Sequence, residues 1–459
     1  MSAFINYGID LGTTNSCIVR LDGDEIKIIQ NADQMNVTPS VVRVLRSGSV
    51  MVGRRAYNAI AEDPDNVAAE FKRLMGQKYQ QQFPASGRAM SPEELSAEVL
   101  KSLLGDARRR QAGDDDGDLS SAVITVPAAF TALQCEATAR AARLAGLAAH
   151  PLLQEPIAAA LAYGARPDSQ DQRWLVFDLG GGTLDIAVVS TREGRLSVLE
   201  HRGDNHLGGK DIDRLIVQKI FLPHLAAQFS LPGAEARGRL LRKLTLIAEY
   251  AKIELSTADE TIVSLIDLGT DTAGRFIEAE LPLRRAEVEA EIEPLVARCL
   301  QLAADALSAA RVRGTDLDRV LLVGGPTQMP YLRRSIGDAL GAKVDYSLDP
   351  MTVVAYGAAI YGATVERAAP APRATAAPDK PLSVRLAFDP VSTSLEAAVA
   401  GKLGGARAPE AREVKIDTDN NFWTSGWHAL SDNYFEIPLV LQEGKNNNFL
   451  LSVRDAQGR

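Results

Sequence analysis

The chain is poor in cysteine. Cys17, Cys135 and Cys299 are its three cysteines in 459 residues, and they lie far apart. An odd, widely spaced set fits neither a disulfide framework nor a zinc cluster, and a reducing compartment suits it best. The N-terminus has no basic segment followed by a sustained apolar segment, as a signal peptide would require. We therefore expect a cytoplasmic protein.

Long apolar runs and an excess of positive charge are also missing. The apolar stretches, such as residues 320–323, are far shorter than the roughly 20 residues that cross a bilayer. The chain has 50 Lys and Arg residues against 59 Asp and Glu residues, for a net charge of −9. Such a chain has no general attraction for nucleic acid or for an anionic membrane. We predict neither as a partner.

The remaining composition is that of a globular protein. Apolar residues make up 46% and charged residues 24% of the chain, which excludes wholesale disorder. Up to about residue 365, short β-rich runs alternate with amphipathic helical runs, a pattern that predicts an α/β domain over residues 1–365. The clearest predicted strands are 26–30, 122–126, 174–178, 186–190 and 319–323, and the clearest predicted helices are 134–146, 157–163, 212–221 and 240–255.

Composition changes sharply near residue 366. Residues 366–381 hold four prolines and six alanines, and proline prevents a continuous helix, so this stretch predicts a linker. An acidic stretch at 114–118 is interpreted as a solvated loop, because it lacks the downstream carboxylate of an EF-hand calcium loop.

The C-terminal residues 382–459 predict a small β domain. Strand-like segments at 382–388, 413–417, 434–442 and 448–454 are separated by turn-forming residues, a pattern typical of an immunoglobulin-like sandwich. We expect Trp423 and Trp427 to belong to its core rather than to a binding face. Because the chain stops directly after a strand and turn, we expect it to be a truncated portion of a longer protein.

A long internal repeat is the most informative feature of the sequence. GIDLGTTNS starts at Gly8 and VFDLGGGTLD starts at Val176, and both combine an apolar strand, Asp-Leu-Gly and a Gly/Thr turn. Asp10 and Asp178 are the equivalent acids. The repeat predicts a duplicated lobe with a cleft between its two copies.

Each turn has the composition of a phosphate site. A strand that ends in Asp brings a carboxylate to the edge of a sheet, and the glycines that follow let backbone N–H groups surround an anion. A carboxylate beside a phosphate requires a cation between them, and Mg²⁺ with its waters is the usual one. A plain hairpin explains either turn alone, but two facing turns make that explanation improbable. Hydroxyl donors for phosphate oxygens come from Thr13, Thr14 and Thr183.

Two weaker patterns accompany the repeat. Gly324 and Gly325 follow an apolar strand and precede a predicted helix start near Pro330. Glu249, Lys252 and Ser256 fall on one face of a predicted helix, off its apolar stripe. Taken alone, the first is equally an ordinary turn and the second a solvated face.

The motifs together resemble a known family. IDLGTTNS, NADQMNVTPSVV, FKRLMG, VITVPAAF, QEPIAAALAYG, VFDLGGGTLD, HLGGKDID, AEYAKIELS, VLLVGGPTQMP and VAYGAAIYG follow one another between residues 9 and 362. In this order they are similar to the nucleotide-binding domain of the seventy-kilodalton heat-shock chaperone family, over about residues 4–365. The resemblance implies an actin-like, two-lobed ATPase fold that holds ATP or ADP and Mg²⁺ in its cleft.

The resemblance also implies roles for the matching acidic and basic residues. Lys72 would reach the γ-phosphate and the attacking water. Asp10 and Asp178 would hold Mg²⁺ through water, with Asp185 and Glu155 orienting water or a monovalent ion such as K⁺.

The nucleotide itself would be held by three groups of residues. The phosphates would contact the first two turns. The ribose or a phosphate would contact the glycines of HLGGKDID, and the adenosine would contact the remaining two motifs. The residues concerned are Gly12, Thr13, Thr14, Gly180, Gly181, Gly182 and Thr183; Gly208 and Gly209; and Glu249, Lys252, Ser256, Gly324, Gly325 and Gln328.

Several positions depart from the family pattern. Gln328 replaces an Arg, whose guanidinium plane stacks on a purine better than an amide does. Cys135 and Pro151 replace arginines used for interdomain relay and for the J-domain co-chaperone, and Gln154 replaces an Asn. The Pro/Ala tract stands in place of the family's acidic-aliphatic linker and cannot dock as an apolar strand.

These observations leave two functional hypotheses. The first is a slow, Mg-dependent ATPase of the chaperone type that acts on unfolded or extended polypeptide. The alternative is a nucleotide-sensing scaffold with weak or no stimulated hydrolysis. The sequence leaves open whether a J-domain protein or a nucleotide-exchange factor takes part, and the match of FKRLMG and AEYAKIELS to the chaperones disfavours a small-molecule kinase.

Overall fold

The computed structural model describes ten stretches of the chain, which fall into two compact units, residues 1–368 and 369–459. The acidic stretch 114–118 and the predicted linker 366–381 lie outside the described residues. No helix among the described residues is long and apolar enough to cross a membrane. The described residues are 4–23, 25–111, 119–164, 171–192, 195–365, 383–388, 396–404, 411–418, 423–441 and 449–456.

Two sheets with the same strand order form the frame of the first unit. In each sheet, three strands that follow one another in the chain pair antiparallel and form a meander. Two later strands are added in parallel, the first beside the first strand of the meander and the second beyond it. The duplication predicted from the repeat is therefore confirmed. In spatial order the first sheet is Leu152–Gln154, Val123–Val126, Tyr7–Leu11, Asn15–Asp22 and Glu25–Ile28, with Thr38–Pro39 beside Asn15–Asp22; the second is Val344–Asp345, Arg319–Val323, Gln172–Leu179, Leu184–Arg192 and Arg195–Asp204.

The central strands are apolar because they are buried on both faces. Tyr7 and Ile9 point to one side of the first sheet and are fully buried, and Leu175 and Phe177 do the same in the second. This continuous burial explains why these strands were predictable from short apolar runs. Several smaller strands were not predicted. Val41–Val44 and Val67–Ala69 are short and largely buried, whereas the others are half-exposed and carry a weaker pattern: Val50–Val52, Gln81–Phe83, Arg88–Met90, Glu260–Leu265 and Ala279–Arg284.

Helices cover the sheets and close the lobes. The helix predicted at 134–146 is Ala132–Leu144, which begins at a capping box formed by Thr131 and Gln134. The helix predicted at 212–221 lies within one continuous helical run, in which Gly209–Ile216 is α-helical and Val217–Phe221 is π-helical. The α-helices are Arg54–Asn58, Pro92–Gln111, Ala132–Leu144, Glu155–Ala162, Gly209–Ile216, Leu222–Ala226, Ala234–Glu254, Arg285–Ala310, Pro330–Leu340 and Val353–Gly362, and the 3₁₀ turns are Pro64–Asn66, Phe71–Leu74, Gly314–Asp316 and Gly325–Gln328.

A crossing of two helices joins the halves of the first unit. Helix Val353–Gly362 packs on helix Glu155–Ala162, in a core that also includes Val123 of the first sheet and Val176 of the second. The backbones approach so closely that a Cβ on Gly357 would lie 1.7 Å from the carbonyl oxygen of Ala158. Because Glu155 begins the second of these helices, the crossing fixes where its carboxylate lies.

We predict that Gly357→Ala lowers the free energy of unfolding by about 2–3 kcal/mol, because the added methyl group overlaps backbone and forces the helices apart. Gly238→Ala is the matched control. It lies within helix Ala234–Glu254, where an added Cβ meets only the end of the Arg242 side chain. The control should be neutral or about 0.5–1 kcal/mol more stable. Urea unfolding followed by circular dichroism measures both, and equal effects would contradict the prediction.

The second unit is an all-β sandwich, as predicted. Each of its two sheets has three described antiparallel strands, and the core between them contains Val414, Phe435 and Ile437. Trp423 packs against this core, whereas Trp427 is 37% exposed and stacks on the guanidinium of Arg454, 4.0 Å from the ring centre. The core assignment of Trp427 is therefore wrong. The strands are Ser383–Phe388, Glu396–Gly404 and Tyr434–Val440 in one sheet, and His428–Ala429, Ala411–Thr418 and Phe449–Asp455 in the other.

Candidate active site

The two repeated turns are hairpin loops that face each other. Residues 12–15 connect strands paired at Leu11 and Ser16, and residues 180–183 connect strands paired at Leu179 and Leu184. A Cβ on Gly181 would lie 2.4 Å from Oγ1 of Thr14, so glycine is required where the loops meet. The Thr14 hydroxyl is buried and finds no hydrogen-bond partner among the described residues. Such a hydroxyl fits an anion held between the loops.

A cavity of about 1330 Å³ opens at these loops and contains most of the residues singled out from the sequence. It exceeds the roughly 300–1,000 Å³ of a typical small-molecule pocket, so a nucleotide fits within it. Gly182 and Gly208 are not in its lining, and they pack against each other behind the loop, since a Cβ on Gly208 would lie 2.5 Å from the Gly182 nitrogen. The predicted residues that line the cavity are Asp10, Gly12, Thr13, Thr14, Lys72, Glu155, Asp178, Gly180, Gly181, Thr183, Asp185, Gly209, Glu249, Lys252, Ser256, Gly324, Gly325 and Gln328.

A buried ion pair lies at the floor of the cavity. The Lys72 ammonium is 2.8 Å from the Glu155 carboxylate, and the two side chains are only 4% and 11% exposed. Lys72 comes from the 3₁₀ turn Phe71–Leu74, and its ammonium lies 5.5 Å from the centre of the Phe130 ring. A buried charge is tolerated when an opposite charge accompanies it, and the Glu155 carboxylate fixes the position of the Lys72 ammonium.

Three aspartates surround this pair. Asp10 ends the first strand of the first sheet and accepts a hydrogen bond from the Thr125 hydroxyl at 2.9 Å. Asp178 and Asp185 lie opposite each other on the equivalent hairpin of the second sheet. Four carboxylates, including that of Glu155, thus share one buried cation.

The excess of negative charge shifts the acidities of the aspartates. Burial raises the pKa of Asp10 to about 6, with the Glu155 charge adding to the rise and Lys72 and Thr125 opposing it. Burial, again with Glu155, raises the pKa of Asp185 to about 6. Asp178 also has a raised pKa, because of burial and then the charges of Glu155, Asp185 and Asp10. Carboxylate oxygens crowded in this way are suitable ligands for a hard divalent cation such as Mg²⁺ or for its waters.

The predicted adenosine residues form another part of the wall. Lys252 is 7% exposed, and its ammonium lies 2.7 Å from the Asp213 carboxylate and 3.2 Å from the Gly209 carbonyl oxygen. The alternative of a solvated helix face is therefore wrong for Lys252. The Ser256 hydroxyl donates to the Lys252 carbonyl oxygen at 3.1 Å. The 3₁₀ turn Gly325–Gln328 adds Gly325, Pro326 and Gln328 to the lining.

Several lining residues escaped the sequence reasoning because their partners lie on the opposite lobe. The Tyr57 hydroxyl donates a hydrogen bond to the Glu249 carboxylate. Burial raises the pKa of Tyr57, and the negative charge of Glu249 raises it further. Glu70 pairs with Lys210 across the cleft and, at 2.7 Å, with Arg73. Arg73 also donates to the Gly182 carbonyl oxygen. The available signal was local, since Arg73 follows Lys72 within the motif FKRLMG and Glu70 directly precedes that motif.

We predict that Asp185→Asn stabilises the protein at pH 7.5 in the absence of metal and nucleotide. A carboxyl group with a raised pKa in the folded state stabilises the fold below its ordinary pKa, and this contribution is lost as the pH rises through about 6. The neutral amide avoids that loss, so the free energy of unfolding should rise by on the order of 1–3 kcal/mol at pH 7.5. Thermal unfolding between pH 4.5 and 8 measures the gain, which should shrink toward pH 4.5. A gain that does not depend on pH would refute this explanation.

Comparisons with known proteins agree with this geometry. The family model described as Hsp70 protein matches residues 6–371. Chaperone protein DnaK of Ureaplasma urealyticum is 37% identical over 362 residues, which are 79% of this chain and 59% of the relative. Chaperone protein DnaK of Thermus thermophilus is 38% identical over 377 residues, 77% and 60% of the two chains, and that of Thermotoga petrophila is 37% identical over 357 residues, 78% and 59%.

The chain spans about three fifths of the length of these curated relatives. The match covers the first unit, with its duplicated sheets and facing loops, and confirms the actin-like fold predicted from the motifs. On this evidence the chain belongs to the Hsp70 family.

Proposed function

We propose that the first unit binds ATP and ADP in the cavity between its lobes and hydrolyses ATP slowly. The observation that carries this proposal is the contact between the two hairpin loops, which places an unpartnered Thr14 hydroxyl beside Gly181 at the mouth of a carboxylate-rich cavity. Duplicated loops of this kind suit the phosphates of a nucleotide better than any other small anion, because the cavity continues from them to the Lys252 wall.

The phosphates would lie against the loops. Backbone N–H groups of residues 13–14 and 181–183, with the hydroxyls of Thr13, Thr14 and Thr183, would donate to the phosphate oxygens. The N–H groups of Gly12 and Gly180 already donate within their own hairpins, to the Ser16 hydroxyl and the Thr183 carbonyl oxygen. Asp10 and Asp178 would hold Mg²⁺ through its waters. When bound, the ion would neutralise charge on the phosphates, which is the main requirement of phosphoryl transfer.

The charged floor of the cavity would position the water that attacks. The Lys72 ammonium, held by Glu155, would direct its remaining N–H groups toward the γ-phosphate and this water. Asp185 and Glu155 would orient water or a monovalent cation such as K⁺. With a glutamine at position 328, stacking on the purine is weaker than with an arginine, and we expect a correspondingly lower affinity for adenine nucleotides.

We predict that Lys72→Ala abolishes ATP turnover while ATP binding remains, because phosphate and adenosine contacts lie elsewhere in the cavity. Hydrolysis is measured as phosphate release with Mg²⁺, and binding by calorimetry. Lys101→Ala, which removes a half-exposed lysine paired with Glu98 on helix Pro92–Gln111, is the control and should hydrolyse ATP normally. Normal turnover by Lys72→Ala would overturn the role given to Lys72, and a wild-type protein that binds no nucleotide would overturn the function itself.

The relatives are named chaperones, and we propose by extension that this cytoplasmic protein uses its nucleotide cycle to act on unfolded or extended polypeptide. J-domain proteins and nucleotide-exchange factors are the corresponding partners to test. The all-β unit is the candidate polypeptide-binding element, since it is a sandwich that follows the ATPase unit in the chain.

We predict that an unfolded peptide or a J-domain protein increases the steady-state rate of ATP hydrolysis several-fold. The measurement compares phosphate release by the full chain with and without each addition, with bovine serum albumin in its native form as the control. Binding and basal hydrolysis without stimulation by either addition would instead favour the nucleotide-sensing scaffold.

A further inference from the structure

Asp213 is a buried carboxylate that the sequence analysis did not single out and that the proposed hydrolysis does not use. It lies on helix Gly209–Ile216, is 2% exposed and borders the cavity. Its carboxylate is 2.7 Å from the Lys252 ammonium, which itself is 7% exposed. The pair joins helices Gly209–Ile216 and Ala234–Glu254 at the wall of the cavity.

The Lys252 ammonium has three N–H donors, and one of them donates to the Gly209 carbonyl oxygen, 3.2 Å away. The 2.7 Å contact with Asp213 is an ion pair, since Oδ1 of Asp213 accepts no hydrogen bond from the described residues. The Gly209 N–H in turn donates to the Gly180 carbonyl oxygen at 3.0 Å, in the second hairpin loop. The Lys252 ammonium therefore has N–H donors left for a ligand, at a position set by the Asp213 charge and by the Gly209 carbonyl oxygen together.

Burial makes the charge of Lys252 depend on its partner. An ammonium removed from water loses its proton readily unless a carboxylate compensates, and removing one member of a buried pair leaves the other uncompensated. Other charged or titratable groups face the pair: Glu249 on the same helix as Lys252, Lys210 on the helix of Asp213, and Tyr57 with Arg54 from the opposite lobe. Of these groups, Asp213 is the anion in direct contact with Lys252.

We propose that Asp213 is a positioning residue that keeps Lys252 charged and directed at the nucleoside part of a bound adenine nucleotide. This inference rests on the proposed function and adds to it a residue that acts through Lys252. It implies that a substitution of Asp213 weakens nucleotide binding only through its effect on the charge and position of Lys252.

The test is calorimetric titration of the full chain with ATP and Mg²⁺ between pH 6.5 and 9. Asp213→Asn should weaken ATP binding by about tenfold near pH 8 and by less near pH 6.5, because without its carboxylate Lys252 loses its proton in this range. Lys252→Met should weaken binding to a similar extent at every pH. The double variant should be no weaker than Lys252→Met alone.

Two further variants keep the test decisive. Asp271→Asn removes a carboxylate that is also buried and is 2.7 Å from Arg275, but away from the cavity, and it should bind ATP as the wild type does. Asp213→Glu keeps the carboxylate, and it should retain the pH dependence of the wild type even if Asp213→Asn fails to fold.

The inference would be overturned if the losses of ATP affinity in the two single variants multiplied in the double variant. It would also be overturned if ATP binding by Asp213→Asn had the same pH dependence as ATP binding by the wild type. A pH dependence of Asp213→Glu that departs from the wild type would overturn it as well. If the wild type itself binds no ATP, the proposed function fails first, and the two failures are thus told apart.

Discussion

The crowding of carboxylates around one buried lysine governs the first unit of this protein. Asp10, Asp178 and Asp185 are buried near the ion pair of Lys72 and Glu155, close enough for these charges to affect their pKa values. The arrangement is unfavourable on its own, as the raised pKa values of the aspartates show. It becomes favourable when positive charge enters, so the fold holds a site whose stability and ligand binding are coupled.

Duplication is what allows the carboxylates to meet. Each sheet carries the same meander and the same aspartate-tipped hairpin, and the helix crossing at Gly357 holds the halves close enough for their loops to touch. The first loop brings Asp10 and Thr14, and the second brings Asp178, Gly181 and Asp185. Either half alone would present an ordinary hairpin, and the cavity exists only where the two are joined.

Contacts between the lobes distinguish the cleft of this chain. Tyr57 meets Glu249 on one side, and the Glu70 carboxylate bridges Lys210 and Arg73 on the other. All five of these residues line the cavity, so the contacts between the lobes belong to the wall of the site itself. Asp213 and Lys252 form another pair of opposite charges in the wall of the cavity, where each compensates the buried charge of the other.

The sequence by itself determined the α/β class, the duplicated lobes and the all-β second unit, and most of the residues that it singled out line the cavity. It could do so because apolar runs mark buried strands, and because Asp-Leu-Gly followed by a glycine-rich turn is a local pattern with a local geometry. The central strands near Asp10 and Asp178 were placed in this way, whereas the half-exposed strands and the π-helical turn at Val217–Phe221 were not, since their hydrophobic patterns are weak or unchanged across the boundary.

Only the tertiary structure decided which charged and polar side chains pair with each other. Asp213 with Lys252, Glu70 with Lys210 and Tyr57 with Glu249 are far apart in the chain, and no spacing rule relates them. The structure likewise placed Gly182 and Gly208 behind the loop and Trp427 at the surface of the sandwich. Burial and the identity of a charge's neighbour are properties of the packed chain, because they depend on which distant segments exclude water from a side chain.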